Sequence, residues 1–261
     1  MRVPPFVVAA AAVHVIAIGL VIVRPHLWPA GVAAVAATHI LIVVASVLPR
    51  CALLGTNIRR VPPDRARSGI IALTFDDGPD PEITPAILEM LEAAGATATF
   101  FCIGRKAEQD PSIVAAIRKR GHDVQNHSQT HPNLFALHGP RKMRQEIGAA
   151  QQAIERVSGV RPRFFRAPAG IQNVWLFPLL NAAGLTLVSW TRRGFDTVDR
   201  HSARVASRLV RNLRAGDILL LHDGSSARDE HGRAVVLDAL AIVLRVMAEK
   251  ELRSDRLSAL V

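Results

Sequence analysis

Two adjacent carboxylates are the first residues in this chain whose pairing suggests chemistry. Asp76 and Asp77 follow the apolar run Ile70–Phe75, and Gly78-Pro79 turns the chain away directly after them. A turn can use one aspartate as a cap, but two beside an apolar strand repel each other. A bound cation removes this repulsion. The pair therefore predicts one carboxylate on a metal ion and the other beside it as a base.

Two histidines supply further candidate ligands. His127 and His131, in the run HSQTH, are four residues apart and follow the strand-like segment Asp123–Asn126. We expect them on one side of a helical turn, a spacing that suits one divalent ion. The pattern alone is weak, because HxxxH arises often without a metal. Together with Asp77 it predicts three ligands with open positions, which is typical of catalytic rather than structural zinc.

Two more polar side chains end apolar runs. Arg166 follows Phe164-Phe165, and His222 follows Leu219–Leu221. Taken singly, the arginine could be an ordinary ion-pair partner and the histidine a satisfied core residue. Both fall, however, where α/β folds collect functional groups, at the carboxyl ends of strands. We therefore include both in the candidate site.

The elements that must position these residues alternate along the chain. Apolar runs predict six strands: Ile70–Phe75, Ala96–Cys102, Asp123–Asn126, Arg163–Phe165, Leu185–Trp190 and Ile218–Leu221. Helical periodicity predicts six helices: Thr84–Ala94, Pro111–Arg120, Arg141–Ser158, Val174–Ala183, Ser202–Leu213 and Val235–Ala248. Such alternation predicts an α/β fold with a mostly parallel sheet and helices outside it.

Five motifs in this order resemble a known family. TFDDGP, HSQTH, FRAPAG, WTRRGFD and LLLHD, over about residues 69–261, resemble the polysaccharide deacetylases of the NodB-homology family, carbohydrate esterase family 4. The resemblance implies a distorted (β/α) barrel and one divalent metal ion, with zinc preferred. It also implies a hydrolase that removes N-acetyl or other N-acyl groups from amino sugars of a poly- or oligosaccharide.

The resemblance assigns a role to each candidate. It implies three metal ligands: Asp77, His127 and His131. Asp76 corresponds to the catalytic base and Arg166 to the arginine that pairs with it. His222 corresponds to the general acid, and Asp196 to the carboxylate that orients and charges that histidine. A backbone N–H after Pro168 corresponds to the oxyanion donor.

The chain departs from the family pattern at two positions. Ala169 and Thr197 stand where the family usually has aromatic side chains. Both changes weaken the walls of a sugar groove and argue against a long polymeric substrate. Trp175, Phe195 or Phe135 could compensate.

The first fifty residues predict a membrane hairpin. Two apolar runs, at about 5–23 and 27–48, flank the short polar turn Arg24–His26. Each run is long enough to cross a bilayer core. A cleaved signal peptide fits poorly, because Arg2 is the only n-region charge, no small-residue cleavage site closes the first run, and a second run follows. We divide the chain into a hairpin (1–49), a basic linker (50–68) and a catalytic domain (69–261).

Charge distribution indicates the partners. The net charge is +10, of which residues 1–68, with seven arginines and one acid, carry +6. A basic excess beside membrane spans indicates contact with anionic lipids rather than with nucleic acid. The expected partners are therefore membrane lipids, through the hairpin, and a saccharide or lipid-linked amino sugar.

The same charges bear on localisation, which we expect to be the cell (inner) membrane with two spans. Two spans place the N-terminus and the catalytic domain on one side. The hairpin has Arg24 in its turn, Arg2 before it and five arginines after it: Arg50, Arg59, Arg60, Arg65 and Arg67. The positive-inside rule favours a cytoplasmic domain. The resemblance favours the outside, where many such deacetylases act, and we follow the charges.

Three alternatives stay open at this point. The first is a deacylase or deformylase of a membrane lipid-linked sugar, and the second is an esterase that removes acetyl from oxygen. The third is a catalytically dead saccharide-binding membrane protein, which predicts loss of Asp76, His222 or a metal ligand, yet all are present. The sequence leaves open the sugar, the acyl group and the oligomeric state.

Overall fold

A parallel sheet carries most of the predicted site. The structure, a computed structural model, describes residues 3–66 and 68–261, so Met1, Arg2 and Arg67 lie outside the described residues. Its strands are Asn57–Ile58 (β1), Ile70–Asp76 (β2), Ala98–Cys102 (β3), Asp123–Asn126 (β4), Phe164–Phe165 (β5), Thr186–Val188 (β6), Arg192–Arg193 (β7), Ile218–His222 (β8) and Arg253–Ser254 (β9). The order is β1-β6-β5-β4-β3-β2-β8-β7, with β9 beside the start of β2.

Strand register brings the motifs to one edge. Every strand pair of the sheet is parallel, so the carboxyl ends of the strands lie together. Asp76 at the end of β2 is in register with His222 at the end of β8 and with Phe101 of β3. Farther along the sheet, Asn126 of β4 is in register with Phe165 of β5. The residues after β4 and β5 therefore reach the same edge as Asp76.

Helices cover the sheet. They are Pro5–Val23 (α1), Trp28–Val47 (α2), Pro63–Ala66 (α3), Ile83–Ala93 (α4), Gly104–Gln109 (α5), Pro111–Lys119 (α6), Pro140–Ser158 (α7), Leu176–Ala183 (α8), Ser202–Val210 (α9), Val235–Glu249 (α10) and Leu257–Leu260 (α11). One core cluster joins Phe75 and Phe100 of the sheet to α4, α9 and α10, and another surrounds Phe101 and Phe164. The strand path ends at β1 and β7 without closing, so the expected distorted (β/α) barrel is confirmed as an open one.

The segment 50–68 packs on the sheet, although its basic composition predicts a linker. Asn57 and Ile58 form β1, which pairs with β6. Leu54 and Val61 are buried, and Arg60 forms a 2.8 Å ion pair with Asp217. Burial of these few apolar side chains holds the segment on the sheet. The arginines around them give the segment the composition of a linker. The packing therefore favours a domain boundary near residue 50, and the boundary at residue 69 stays a prediction.

The two apolar runs form a helical hairpin. The helices α1 and α2 are joined by a 3₁₀ turn over Pro25–Leu27, and Gly31 of α2 packs against Ala17 of α1. His14 and His39 face each other, with ring centroids 5.0 Å apart. Most apolar side chains of both helices point outward and are exposed. Both helices are long and apolar enough to cross a membrane, and their exposure distinguishes them from the core helices of a soluble protein.

Candidate active site

The carboxyl edge of the sheet opens into a cleft of about 390 Å³. Five of the seven predicted site residues line it: Asp76, Asp77, His127, His131 and His222. The other two, Arg166 and Asp196, are buried behind it, where each contacts one of the lining residues. The sequence motifs therefore converge on a single cleft.

Asp77, His127 and His131 form a three-ligand cluster. Oδ1 of Asp77 lies 3.2 Å from Nε2 of His127 and 3.2 Å from Nε2 of His131. Nδ1 of His127 lies 2.8 Å from the carbonyl oxygen of Arg166 and therefore donates to it, which in the neutral ring leaves an Nε2 lone pair facing the carboxylate. Within residues 3–66 and 68–261, no aligned hydrogen-bond donor reaches this buried Oδ1. Converging acceptors with an unsatisfied oxygen fit a divalent cation.

The two histidines reach this position by a route that differs from the expected helical turn. Residues 127–131 form a loop, in which Ser128 (φ 65°) and His131 (φ 50°) have left-handed backbones. The side chain of Asn126 accepts from the N–H of Ser128, whose hydroxyl accepts from the N–H of His131. Glu146 of α7 accepts from the backbone N–H groups of Gln129 and Thr130. Because these side chains satisfy the loop's donors, the backbone needs no helical hydrogen bonds.

Asp77 is held by residues that the sequence reasoning missed. Nζ of Lys106 donates to its carbonyl oxygen at 2.8 Å, and the hydroxyl of Ser225 donates to its Oδ2. Asp77 has a left-handed backbone (φ 74°), whereas Asp76 is the last residue of β2. The serine directly after the LLLHDG run was a signal for one of these contacts, but Lys106 lay within no motif.

The ionisation of the cluster follows from its crowding. Burial alone would raise the pKa of Asp77, but the contact with His127 and its charge hold the pKa well below its usual range. Burial would lower the pKa of His127, yet Asp76 and Asp77 outweigh this effect and raise it. The pKa of His131 is lowered by burial and by its neighbour His127. Asp77 is therefore an anion at neutral pH, as a metal ligand must be.

Arg166 fixes the second carboxylate. Its Nη1 donates to Oδ1 of Asp76 at 2.7 Å and to the hydroxyl of Thr74 at 2.8 Å. Its other nitrogens donate to the carbonyl oxygens of Val188 and Ser189 at 3.3 and 3.2 Å. The guanidinium also lies 4.1 Å from the centre of the Phe101 ring. A buried arginine with this many partners holds Asp76 in one orientation.

Asp196 holds His222 in a bidentate arrangement. Its Oδ1 lies 2.9 Å from Nδ1 of His222, and its Oδ2 accepts from the backbone N–H of the same residue at 2.7 Å. A left-handed turn at Phe195 (φ 63°), after β7, brings this buried carboxylate beneath the histidine. Burial alone would lower the pKa of His222, but Asp196 outweighs it and the pKa is raised. Nδ1 carries a proton toward Asp196, and Nε2 is left for the cleft.

Sequence comparison gives the family. A family model described as polysaccharide deacetylase matches residues 64–188. The chitooligosaccharide deacetylase of Azorhizobium caulinodans is 38% identical over 181 residues, which are 67% of this chain and 86% of that protein. The chain belongs to the polysaccharide deacetylase family. The peptidoglycan-N-acetylglucosamine deacetylase of Bacillus cereus is 34% identical over 195 residues, 74% of this chain and 88% of that protein.

Solved structures of the polysaccharide deacetylase family share the fold. A family 4 carbohydrate esterase from Streptomyces lividans, solved with acetate, is 35% identical, with a TM-score of 0.64 over 71% of this chain and 91% of that one. The resemblance to the NodB-homology family is therefore confirmed, and the chain is a hydrolase of this class.

Within this polysaccharide deacetylase, the two departures from the family pattern line the cleft. Ala169, with a left-handed backbone (φ 55°), and Thr197 are both at its wall. Phe135 is buried in the core and cannot replace the missing aromatic groups, so that expectation was wrong. Trp175 and Phe195 are exposed, Phe195 contacts the cleft-lining Arg193, and Trp190 lines the cleft. The cleft thus has one aromatic wall, on the side of β6 and β7.

Proposed function

We propose that this chain hydrolyses the N-acetyl amide of an amino sugar in a saccharide. One observation carries the proposal: Asp76 and His222, on adjacent strands in register, face one cleft together with the Asp77, His127 and His131 cluster. A base, an acid and a metal site within one cleft are the parts that metal-assisted amide hydrolysis requires. The relatives described as saccharide deacetylases support the same substrate class.

The proposed mechanism begins at Asp76. Arg166 holds this carboxylate in one orientation, and the carboxylate accepts a proton from the attacking water. A divalent ion, for which we propose Zn²⁺ on Asp77, His127 and His131, would polarise the amide carbonyl and lower the pKa of water. The backbone N–H of Ala169 is the proposed donor to the developing oxyanion. Ala169 can fill this role despite its small side chain, because the donor is backbone.

His222 completes the proposed reaction. Asp196 raises the pKa of His222, which favours the imidazolium form with a second proton on Nε2. That proton passes from Nε2 to the leaving amine nitrogen as the C–N bond breaks. The products are acetate and a free amino sugar.

Release of acetate tests the proposed function. We expect the purified full chain, loaded with Zn²⁺, to release acetate and expose amines on N-acetylated chitooligosaccharides, and a chelator to abolish both. Acetate and formate are measured by mass spectrometry, with O-acetylated xylan and an N-formyl amino sugar as parallel substrates. Release from the O-acetyl substrate alone would identify an esterase, and formate alone a deformylase. No release from any saccharide would contradict the proposed hydrolase.

We propose that the hairpin anchors the enzyme in the cell membrane as two spans, with the catalytic domain in the cytoplasm. The exposed apolar surfaces of α1 and α2 support the anchor, since burial in a bilayer removes them from water. Of the flanking arginines, Arg24 lies in the turn, and the described arginines after α2 lie on the side of the domain. The positive-inside rule supports a cytoplasmic location for that side.

Reporter fusions test this topology. A fluorescent protein at the C-terminus should fluoresce, and alkaline phosphatase at the same place should be inactive, because the phosphatase folds only outside the cytoplasm. A matched pair of fusions that end at Arg24, in the hairpin turn, should give the opposite pattern. An active C-terminal phosphatase with a dark fluorophore would place the domain outside.

A further inference from the structure

The end of the hairpin lies against the rim of the cleft. Gly170, which lines the cleft, leaves no room for a side chain because Pro49 and Trp190 pack against it. The carbonyl oxygen of Ser46, in the last turn of α2, accepts from the backbone N–H of Gln172 at 3.0 Å. The last helical residue is Val47, so Pro49 lies within about 7 Å of the end of the span. The headgroup layer on each side of the hydrocarbon core is also about 7 Å thick, so Pro49 lies at headgroup depth when α2 spans the core.

Exposed apolar side chains lie on the segments that adjoin this contact. Leu48 and Leu53 follow α2 and are about half exposed. Leu137 and Trp175 are exposed on two loops that Asn173 joins, because its Nδ2 donates to the carbonyl oxygen of Ala136 at 2.8 Å. Tryptophan and leucine with this exposure suit the interface between headgroups and acyl chains. The mouth of the cleft is therefore placed to receive a substrate from the membrane surface.

One cation within the cleft is free to bind an anion. Arg193 lines the cleft, and no carboxylate of the residues that the structure describes pairs with it. Its Nε is buried without an acceptor among those residues. The preceding residue differs: Nε of Arg192 donates to Asp217 at 2.7 Å. Successive side chains of a strand point to opposite faces, so Arg192 pairs with Asp217 and Arg193 faces the cleft.

Aromatic rings hold the free guanidinium in place. The guanidinium carbon of Arg193 lies 4.9 Å from the ring centre of Phe195 and 5.6 Å from that of Trp190. Rings contact the faces of a guanidinium and leave its N–H donors, which lie in its plane, for an acceptor. A planar fork of this kind matches two phosphate oxygens. A neutral oligosaccharide offers no group that requires such a cation.

We propose that the substrate is an N-acetyl amino sugar joined through phosphate to a membrane lipid, and that Arg193 binds the phosphate. The inference rests on the proposed deacetylase function and names its substrate class. Arg193 supplies the recognition of the anion, and the hairpin beside Gly170 determines that the phosphate belongs to a lipid. The single aromatic wall of the cleft suits one or two sugars rather than a long chain.

Three substrates test this assignment with the full chain in phosphatidylcholine vesicles. They are N-acetylglucosamine joined by phosphate to a polyprenyl chain, soluble N-acetylglucosamine 1-phosphate, and neutral chitotetraose. We expect the highest kcat/KM for acetate release on the lipid-linked substrate. Arg193→Gln should lower kcat/KM on both phosphorylated substrates by about 10- to 100-fold, the effect of one charge-assisted hydrogen-bonded contact, and change it little on chitotetraose. On the phosphorylated substrates, the kcat/KM of Arg193→Lys should lie between that of the unchanged protein and that of Arg193→Gln, because lysine keeps the charge and loses the planar fork.

Arg200→Gln is the matched control. Arg200 is exposed, lies outside the cleft and carries the same charge, so its loss should leave all three rates unchanged. An equal loss on chitotetraose in Arg193→Gln and Arg193→Lys would overturn the role in phosphate binding. Equal rates on the soluble and the lipid-linked phosphates would overturn the lipid assignment. In both cases acetate from chitotetraose would leave the deacetylase function standing, whereas absence of acetate from all three substrates would contradict that function itself.

Discussion

Replacing Asp76 by asparagine is expected to leave the metal content unchanged and to lower kcat on the order of 10²-fold or more, because the amide cannot accept the proton of water. The two neighbouring aspartates differ in position. Oδ1 of Asp77 lies 3.2 Å from Nε2 of His127, whereas Oδ2 of Asp76 lies 3.9 Å from the same atom. Asp76 is instead bound to Arg166. The substitution therefore removes the base and leaves the ligands in place.

The measurement combines zinc content with steady-state kinetics. Removing the charge of Asp76 also leaves the buried Arg166 without its counterion, which can cost about 3–5 kcal/mol when one partner of a buried pair is lost. Thermal unfolding is therefore recorded first, and rates are measured well below the Tm. His222→Ala provides a second variant that should keep the metal and lose turnover, and Asp64→Asn, on the exposed surface, should change neither property. Loss of metal in Asp76→Asn would mean that this carboxylate is a ligand.

The parts of the site that could be predicted from sequence are those at strand ends. Asp76 and His222 each close a continuous apolar run, and parallel strands necessarily place such ends at one edge. This rule requires no knowledge of which strands are neighbours. For the same reason His127 and Arg166 were found, each directly after a buried strand. The order of the strands, by contrast, was not predictable from these runs.

The parts that were missed depend on contacts between distant residues. Strand β1 has only two residues in an arginine-rich segment, and its pairing with β6 joins positions about 130 residues apart. Lys106 and Ser225 contact Asp77 from other loops. The loop at His127 has helical spacing, but side-chain acceptors stabilise its left-handed turns instead. Spacing therefore predicted that the side chains of His127 and His131 lie together, which the structure shows, and predicted their backbone conformation wrongly.

Replacing Asp77 by alanine is expected to have the largest effect on the metal. It removes the only carboxylate of the three-ligand cluster that the described residues form, and leaves two histidines. We expect zinc affinity to fall by more than about 100-fold, the upper range for changes around a ligand, and deacetylase activity to be lost with it. Zinc bound after dialysis, measured by mass spectrometry, and titration calorimetry of the metal-free protein report the affinity.

A graded series separates a ligand from a support. His127→Ala and His131→Ala should also lose zinc, since each removes a nitrogen that faces Oδ1 of Asp77. Ser225→Ala removes only the hydrogen bond to Oδ2 of Asp77, so its affinity should fall by about 10- to 100-fold while activity returns at high zinc concentration. His231→Ala, an exposed histidine outside the cleft, should bind zinc as the unchanged protein does. Full zinc occupancy and activity in all three ligand variants would show that the metal binds elsewhere. A three-ligand site cannot keep its affinity when each of its ligands is removed in turn.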